Sequence, residues 1–145
     1  RWLKGVLKGF TENQASTDLH GEDPRLRGRT YAIPFEAVWQ ASNRLGGGGL
    51  RGWSIESADD QRGVISAHVS GGLISSEVTV RINIGLDANA QTRVDLAATS
   101  STERGDFGRS GRLIARFMRR LDEKLQARPD QIWDPREPTL FEEAS

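Results

Sequence analysis

The chain has 145 residues, of which 36% are hydrophobic, 28% charged and 7% aromatic, and this composition is typical of one globular domain. Twenty basic residues balance 20 acidic ones, so an electrostatic function requires local segregation of charge. The sequence contains no cysteine, which excludes disulfides, thiolate catalysis and cysteine zinc sites. No apolar run reaches the roughly 18 residues that span a bilayer. The first residue is Arg1 rather than methionine, so the sequence does not exclude a signal or membrane anchor upstream of it.

The first ten residues, RWLKGVLKGF, form a basic amphipathic segment. At helical spacing its apolar side chains share one face, namely Trp2, Leu3, Val6, Leu7 and Phe10. Such a segment suits an interfacial anchor, the flank of an upstream membrane helix, or packing on its own domain or a partner. A polar linker follows. One histidine and three carboxylates between Asp18 and Asp23 could hold a metal, but their spacing matches no established loop, so we expect solvated chain and no metal.

Alternation predicts a short strand over residues 30–33, and Pro34 then opens a helix over residues 34–45. Gly46 to Gly49 end that helix, where glycine is the usual cap. A phosphate-binding loop would need these glycines before a helix, so we reject that function for them.

Four strands follow in series, over residues 52–57, 64–69, 77–84 and 93–100. Their regular alternation predicts an antiparallel meander with one covered and one solvated face. On this pattern His68 lies on the face opposite Ile65 and Ala67, exposed or paired with a cross-strand neighbour.

A second helix is predicted from about residue 106 to residue 126, with an apolar stripe that includes Ile114, Phe117 and Leu121. Its other faces are basic, and the candidate anion-binding residues are Arg109, Arg112, Arg116 and Arg120. This helix either binds phosphate groups or presents an ordinary solvated face that acidic neighbours partly neutralise. We expect no nucleic acid, because that face has no aromatic side chain on which bases could stack.

From Pro129 onward the chain is acidic and contains Pro135 and Pro138, so we expect an extended tail that docks isolated apolar side chains on this chain or another. The predicted fold is α+β, a two-layer sandwich in the order β-α-β-β-β-β-α with two helices on the sheet and a helix-grip-like arrangement. Residues 1–27 form the N-terminal segment and linker, residues 28–128 the α+β domain, and residues 129–145 the tail.

Three blocks carry a family resemblance: GRTYAIPFEAVWQA at 28–41, GWSIESADDQRGVISA at 52–67, and TRVDLAATSSTERGDFGRSGRLIARFMRRLD at 92–122. Together they resemble domain-of-unknown-function family 1499, small bacterial and plastid proteins that often carry a membrane anchor. The family's pattern of a serine-rich strand end, a glycine/aspartate loop and a helix is kept at Ser100, Gly105, Asp106, Gly108, Arg112 and Ile114. Ala97 and Ser101 stand where the family usually has arginines, and Ser76-Glu77 where it usually has paired aspartates. The resemblance implies a fold and membrane association, and these departures favour an accessory role over conserved chemistry.

With His20 and His68 as its two histidines, the chain suggests no nucleophile triad, so we expect a non-enzymatic protein without a cofactor. We expect an accessory domain that docks on a membrane or a membrane-bound protein assembly. The expected interaction residues lie in the terminal segments: Trp2, Leu3, Val6, Leu7, Phe10, Trp133, Leu140 and Phe141. The alternative is a helix-grip-type binder of a small apolar ligand, with a cavity between sheet and long helix.

Overall fold

A computed structural model of the chain describes residues 14–18, 26–70, 77–100 and 107–133. Within these residues a single antiparallel sheet contains seven strands: β1 (Gln14–Ser16), β2 (Arg29–Tyr31), β3 (Trp53–Asp59), β4 (Val64–Val69), β5 (Val78–Leu86), β6 (Thr92–Ser100) and β7 (Ile132–Trp133). Two helices, α1 (Phe35–Arg44) and α2 (Phe107–Leu125), pack on one face of it. The fold is therefore the predicted α+β two-layer sandwich.

The strand order is β3-β4-β5-β6-β2-β7, and β1 also pairs with β6. Ala15 of β1 lies opposite Ala98, whereas Tyr31 of β2 lies opposite Thr92. Since β5 occupies the other side of β6, both short strands lie along the same side of β6, one near each of its ends. The sheet consequently has β3 at one edge and the short strands β1 and β7 at the other.

The register of the meander is the one that alternation predicts. Val80 of β5 lies opposite Ala67 of β4 and Ala98 of β6, and all three are fully buried. A slip by one residue would send these side chains to solvent. The predicted core cluster is confirmed, with Ile55 as its one partly buried member: Trp39, Trp53, Ile55, Val80, Ile82, Leu96, Ile114, Phe117 and Leu121.

Aromatic rings fill the space between the sheet and the helices. The rings of Trp53 on β3 and Phe117 on α2 stack with centroids 5.4 Å apart and planes at 27°. Phe35 and Trp39 stack within α1 at 5.7 Å. Full burial of a side chain such as Phe117 stabilises the fold by about 1.5–3 kcal/mol. The helices are thus held on the sheet mainly by removal of aromatic and aliphatic surface from water.

The glycine run after α1 differs from the predicted simple cap. The chain continues through a wide helical turn over Leu45–Gly49, in which the Leu50 N–H donates to the Leu45 carbonyl at 3.0 Å. This bond spans five residues, the spacing of a π-helix. Gly48 has a φ of +123°, and a Cβ on Gly49 would lie 2.7 Å from the Arg44 carbonyl oxygen. The run is therefore required by backbone geometry at the end of α1.

Regular structure extends beyond the predicted domain at both ends. The expected linker contains β1, and the expected extended tail contains a short 3-10 turn, Pro129–Gln131, followed by β7. β7 pairs with β2, and the Ala32 N–H donates to the Gln131 carbonyl at 2.7 Å. Neither β1 nor β7 carries an alternating apolar pattern of its own, and their hydrogen bonds come from neighbours distant in sequence. The tail was expected to be extended, and its residues 132–133 are extended but form a regular strand on β2.

Candidate functional site

A polar cluster joins β2 to α2 at the side of the covered face. We name Arg29, Tyr31 and Asp122 the β2–α2 clamp. The Arg29 guanidinium donates to both carboxylate oxygens of Asp122, with Nε–Oδ1 at 3.1 Å and Nη2–Oδ2 at 3.0 Å, and the Tyr31 hydroxyl donates to Oδ1 as well. Arg29 and Tyr31 are two residues apart and so project to the same face of the strand. The clamp therefore ties the first part of the domain to the last turns of its long helix.

The environment of the clamp shifts two pKa values. Burial raises the pKa of Tyr31 far above its usual range, and the negative charge of Asp122 raises it further. Burial alone would lower the pKa of Arg29, but the hydrogen bond to Asp122 and its charge outweigh burial and raise it. Tyr31 thus stays a neutral donor and Arg29 a cation. Both side chains act here as fixed partners of one carboxylate.

A second polar cluster lies on the opposite, open face of the sheet. Arg93 donates to Asp95 at 2.7 and 3.0 Å and to the carbonyl oxygen of Arg27. Thr17 donates its hydroxyl to Asp95 at 2.7 Å and accepts from the Leu96 N–H at 3.1 Å. These contacts fix both ends of the connection between β1 and β2 to β6. We name Thr17, Arg93 and Asp95 the outer-face cluster.

The outer-face cluster depends on a glycine. Gly28 has a φ of +76°, and a Cβ there would lie 2.4 Å from Arg93 Nη2, 2.7 Å from the Val94 carbonyl oxygen and 2.8 Å from Asp95 Oδ1. Both the left-handed backbone and the close approach exclude a larger residue. The chain at Gly28 therefore lies directly against the Arg93–Asp95 pair.

His68 lies on the open face, as alternation predicts, and is paired with a neighbouring strand. Its Nε2 is 3.2 Å from Oε1 of Glu56, at the bulge in β3 where the register with β4 shifts. Both side chains are partly solvent-exposed. This geometry is a surface cross-strand contact, and among the residues that the structure describes Nδ1 of His68 has no hydrogen-bond partner.

The four candidate anion-binding residues lie on α2. Arg112 and Arg116 are exposed, whereas Arg109 and Arg120 are partly buried, and Arg120 Nε is 3.3 Å from Oε1 of Glu123. Their spacing of three or four residues places them in one row, which we name the arginine stripe. The buried face of α2 carries Ile114, Phe117 and Leu121, so the stripe lies on the side away from the core. Sequence and structure agree on this arrangement.

Of the expected terminal interaction residues, Trp133 is half-buried in β7 and lies opposite Thr30 of β2. The other seven lie outside the described residues, as does His20. Among the residues that the structure describes, no group of three or more histidines and carboxylates could hold a metal ion. No helix in these ranges is long and apolar enough to cross a membrane.

The sequence did not predict the clamp or the outer-face cluster. A signal for the clamp was present, since Arg29 and Tyr31 share a face and a buried guanidinium requires an acidic partner. Asp122 was expected only to offset the charge of neighbouring arginines. For the outer-face cluster no such signal exists, because Thr17 and Asp95 are 78 residues apart and both read as surface residues.

Comparison of the chain with protein-family models gives no match, and comparison with curated proteins gives none either.

Proposed function

We propose that this chain is a non-enzymatic accessory domain that docks on a membrane or a membrane-bound protein assembly through its terminal segments. The best support comes from where the N-terminal segment and the C-terminal tail join the sheet. Gln14 pairs with Thr99 of β6, and Trp133 pairs with Thr30 of β2. Both points lie at the same edge, on the side of β6 away from β5. Partners of the two segments would therefore meet this one edge.

The chemistry of the terminal segments supports attachment. Apolar side chains left in water are unfavourable by about 25 cal/mol per Å², and the first ten residues carry five of them on one face of a helical projection. The neighbouring Lys4 and Lys8 suit an anionic surface. We also propose, from the sequence resemblance, that the chain belongs to domain-of-unknown-function family 1499. Membership of that family would favour membrane association as well.

The polar groups of the domain favour a structural role over catalysis. Asp122 accepts from a guanidinium and a phenol, and Asp95 from a guanidinium and a hydroxyl. A carboxylate occupied in this way is a poor general base, because a base must accept a proton from substrate. Against the alternative of a small apolar ligand, the stacked rings of Trp53 and Phe117 occupy space between sheet and helix.

The test is fractionation of cells that produce the full chain. Trp2, Leu3 and Leu7 are replaced together by glutamine, and the control replaces Thr11, Glu12 and Asn13 by alanine in the same segment. We expect the first variant to leave the membrane or large-complex fraction for the unbound fraction while the control stays. Equal retention of both variants would exclude the N-terminal segment as an attachment point, and the same comparison with Leu140 and Phe141 tests the tail.

A further inference from the structure

We propose that the solvent face of α2 is a second docking surface, and that its partner is the anionic headgroup layer of a phospholipid bilayer. This inference rests on the proposed membrane attachment and names the chemistry of the surface. Arg112, Arg116 and Arg119 are all exposed, and their spacing of four and three residues places them on one side of the helix. Within the described ranges, no ion pair joins any of these three to a carboxylate.

Charge is segregated between the two layers although the whole chain is neutral. The exposed charged residues of α1 and α2 are five basic and two acidic, a difference of plus three: Arg44, Arg112, Arg116, Arg119 and Lys124 against Glu36 and Glu123. Those of β3 to β5 and the described residues next to them are three basic and four acidic, a difference of minus one: Arg51, Arg62 and Arg81 against Glu56, Asp59, Asp60 and Glu77. An anionic surface would therefore attract the helical layer and repel the far strands.

The shape of the helical layer suits a planar partner. α2 has 19 residues and is about 28 Å long. It packs on the sheet through its opposite side, where Phe117 and Leu121 are fully buried. Arg112 and Arg119 are about 10 Å apart along the axis, at 1.5 Å per residue. The three guanidinium groups are thus able to contact separate headgroups of one flat layer.

The position of the N-terminal segment links it to the same surface. Gln14 lies opposite Thr99, near the end of β6 after which the chain leads into α2. The long helix contacts β1 itself, and a Cβ on Gly111 in its second turn would lie 3.9 Å from Leu26 Cδ1. The 13 residues that precede Gln14 therefore join the domain beside the start of α2.

The aromatic and apolar residues of the chain favour lipid over nucleic acid as the partner of these arginines. Phe117 of α2 is fully buried and unable to stack on bases. The apolar residues of the first ten positions suit the boundary between headgroups and acyl chains. Basic side chains beside an amphipathic segment are a common arrangement for recognition of anionic lipid.

The experiment measures binding of the full chain to vesicles of phosphatidylcholine alone and of phosphatidylcholine with phosphatidylglycerol at two to one. The stripe variant removes the charges of Arg112 and Arg116 of the arginine stripe together with that of the neighbouring Arg119, and it carries Arg112→Gln, Arg116→Gln and Arg119→Gln. The control variant carries Arg51→Gln, Arg62→Gln and Arg81→Gln, exposed positions outside the helices that remove the same charge. Near an anionic surface each basic side chain contributes about fivefold to affinity, so the stripe variant should bind the anionic vesicles about a hundredfold more weakly. The control should stay within about fivefold of the unmodified chain.

Four results would overturn the inference. Equal loss in both variants would assign binding to net charge, and no loss in either would leave the terminal segments as the sole attachment, with the proposed function intact. If the unmodified chain binds neither vesicle, the stripe has no lipid partner, and fractionation of the terminal variants then decides the proposed function separately. Tighter, stripe-dependent binding to a short DNA duplex would assign the surface to nucleic acid. Thermal unfolding of each variant confirms that it is folded.

Discussion

Arg29 of β2 and Asp122 of α2 form a two-point ion pair between residues 93 positions apart, with Nη2–Oδ2 at 3.0 Å and Nε–Oδ1 at 3.1 Å. Their side chains are only 24% and 22% exposed, so water screens the pair less than it screens a surface contact. Tyr31 adds a third hydrogen bond to the same carboxylate. This clamp is a polar link between α2 and β2 that three hydrogen bonds to one carboxylate hold.

Replacement of Asp122 by alanine should lower the free energy of unfolding by about 2 kcal/mol, because it leaves the Arg29 guanidinium and the Tyr31 hydroxyl without their shared acceptor. Urea unfolding followed by tryptophan fluorescence measures the change. Asp130→Ala is the matched control, because Asp130 also pairs with an arginine, Arg128, at 3.1 Å. The side chains of Arg128 and Asp130 are 67% and 72% exposed, so their ion pair should contribute less than about 0.5 kcal/mol. Equal effects of the two substitutions would contradict a structural role for the clamp.

The chain has one tyrosine, so absorbance of tyrosinate reports on Tyr31 alone. Burial and Asp122 raise its pKa, and we expect no ionisation of the folded chain near pH 10, where the urea-unfolded chain should titrate. The folded state then holds a proton that the unfolded state releases, so stability is complete below about pH 10 and falls as pH rises above it. Ionisation of the folded chain with an ordinary pKa would mean that Tyr31 is solvated.

Replacement of Gly28 by alanine should lower the free energy of unfolding by about 2–3 kcal/mol, since it adds backbone strain at a φ of +76° to a clash with Arg93 and Val94. Gly85→Ala is the control, because a Cβ there meets nothing within 4 Å and Gly85 has no positive φ. We expect the control to stay within about 0.5 kcal/mol of the unmodified chain. Chemical denaturation of both variants decides the matter, and a tolerant Gly28 would disprove the close packing of the β1–β2 connection on β6.

The extent to which the sequence predicted this fold follows from the length of each pattern. Val78, Val80, Ile82 and Ile84 alternate long enough to fix a strand, its register and its covered face. β7 has only two residues, and it exists because Ile132 and Trp133 find partners on β2, to which local sequence gives no pointer. The arginine stripe was predictable from helical spacing. The outer-face cluster was not, because Thr17 meets Asp95 only through the placement of β1.

The Trp53–Phe117 ring pair distinguishes an interaction domain from a small-ligand binder, because it occupies space that a ligand would need. Phe117 is fully buried and stacks on Trp53 at 5.4 Å, so Phe117→Ala should lower the free energy of unfolding by about 3–5 kcal/mol. Leu86→Ala is the control, because Leu86 is 63% exposed and its truncation should stay within about 0.5 kcal/mol.

The cavity that Phe117→Ala creates is lined by apolar side chains, and such cavities stay dry and bind small apolar molecules. Benzene should therefore raise the Tm of the Phe117→Ala variant and leave that of the unmodified chain unchanged, because a ligand stabilises only the state that binds it. Thermal unfolding with and without benzene makes the comparison. A benzene-dependent rise in the Tm of the unmodified chain would mean that the space between sheet and α2 is already open. In that case an apolar ligand would have a binding space beside the Trp53–Phe117 stack, and the small-ligand function would be favoured.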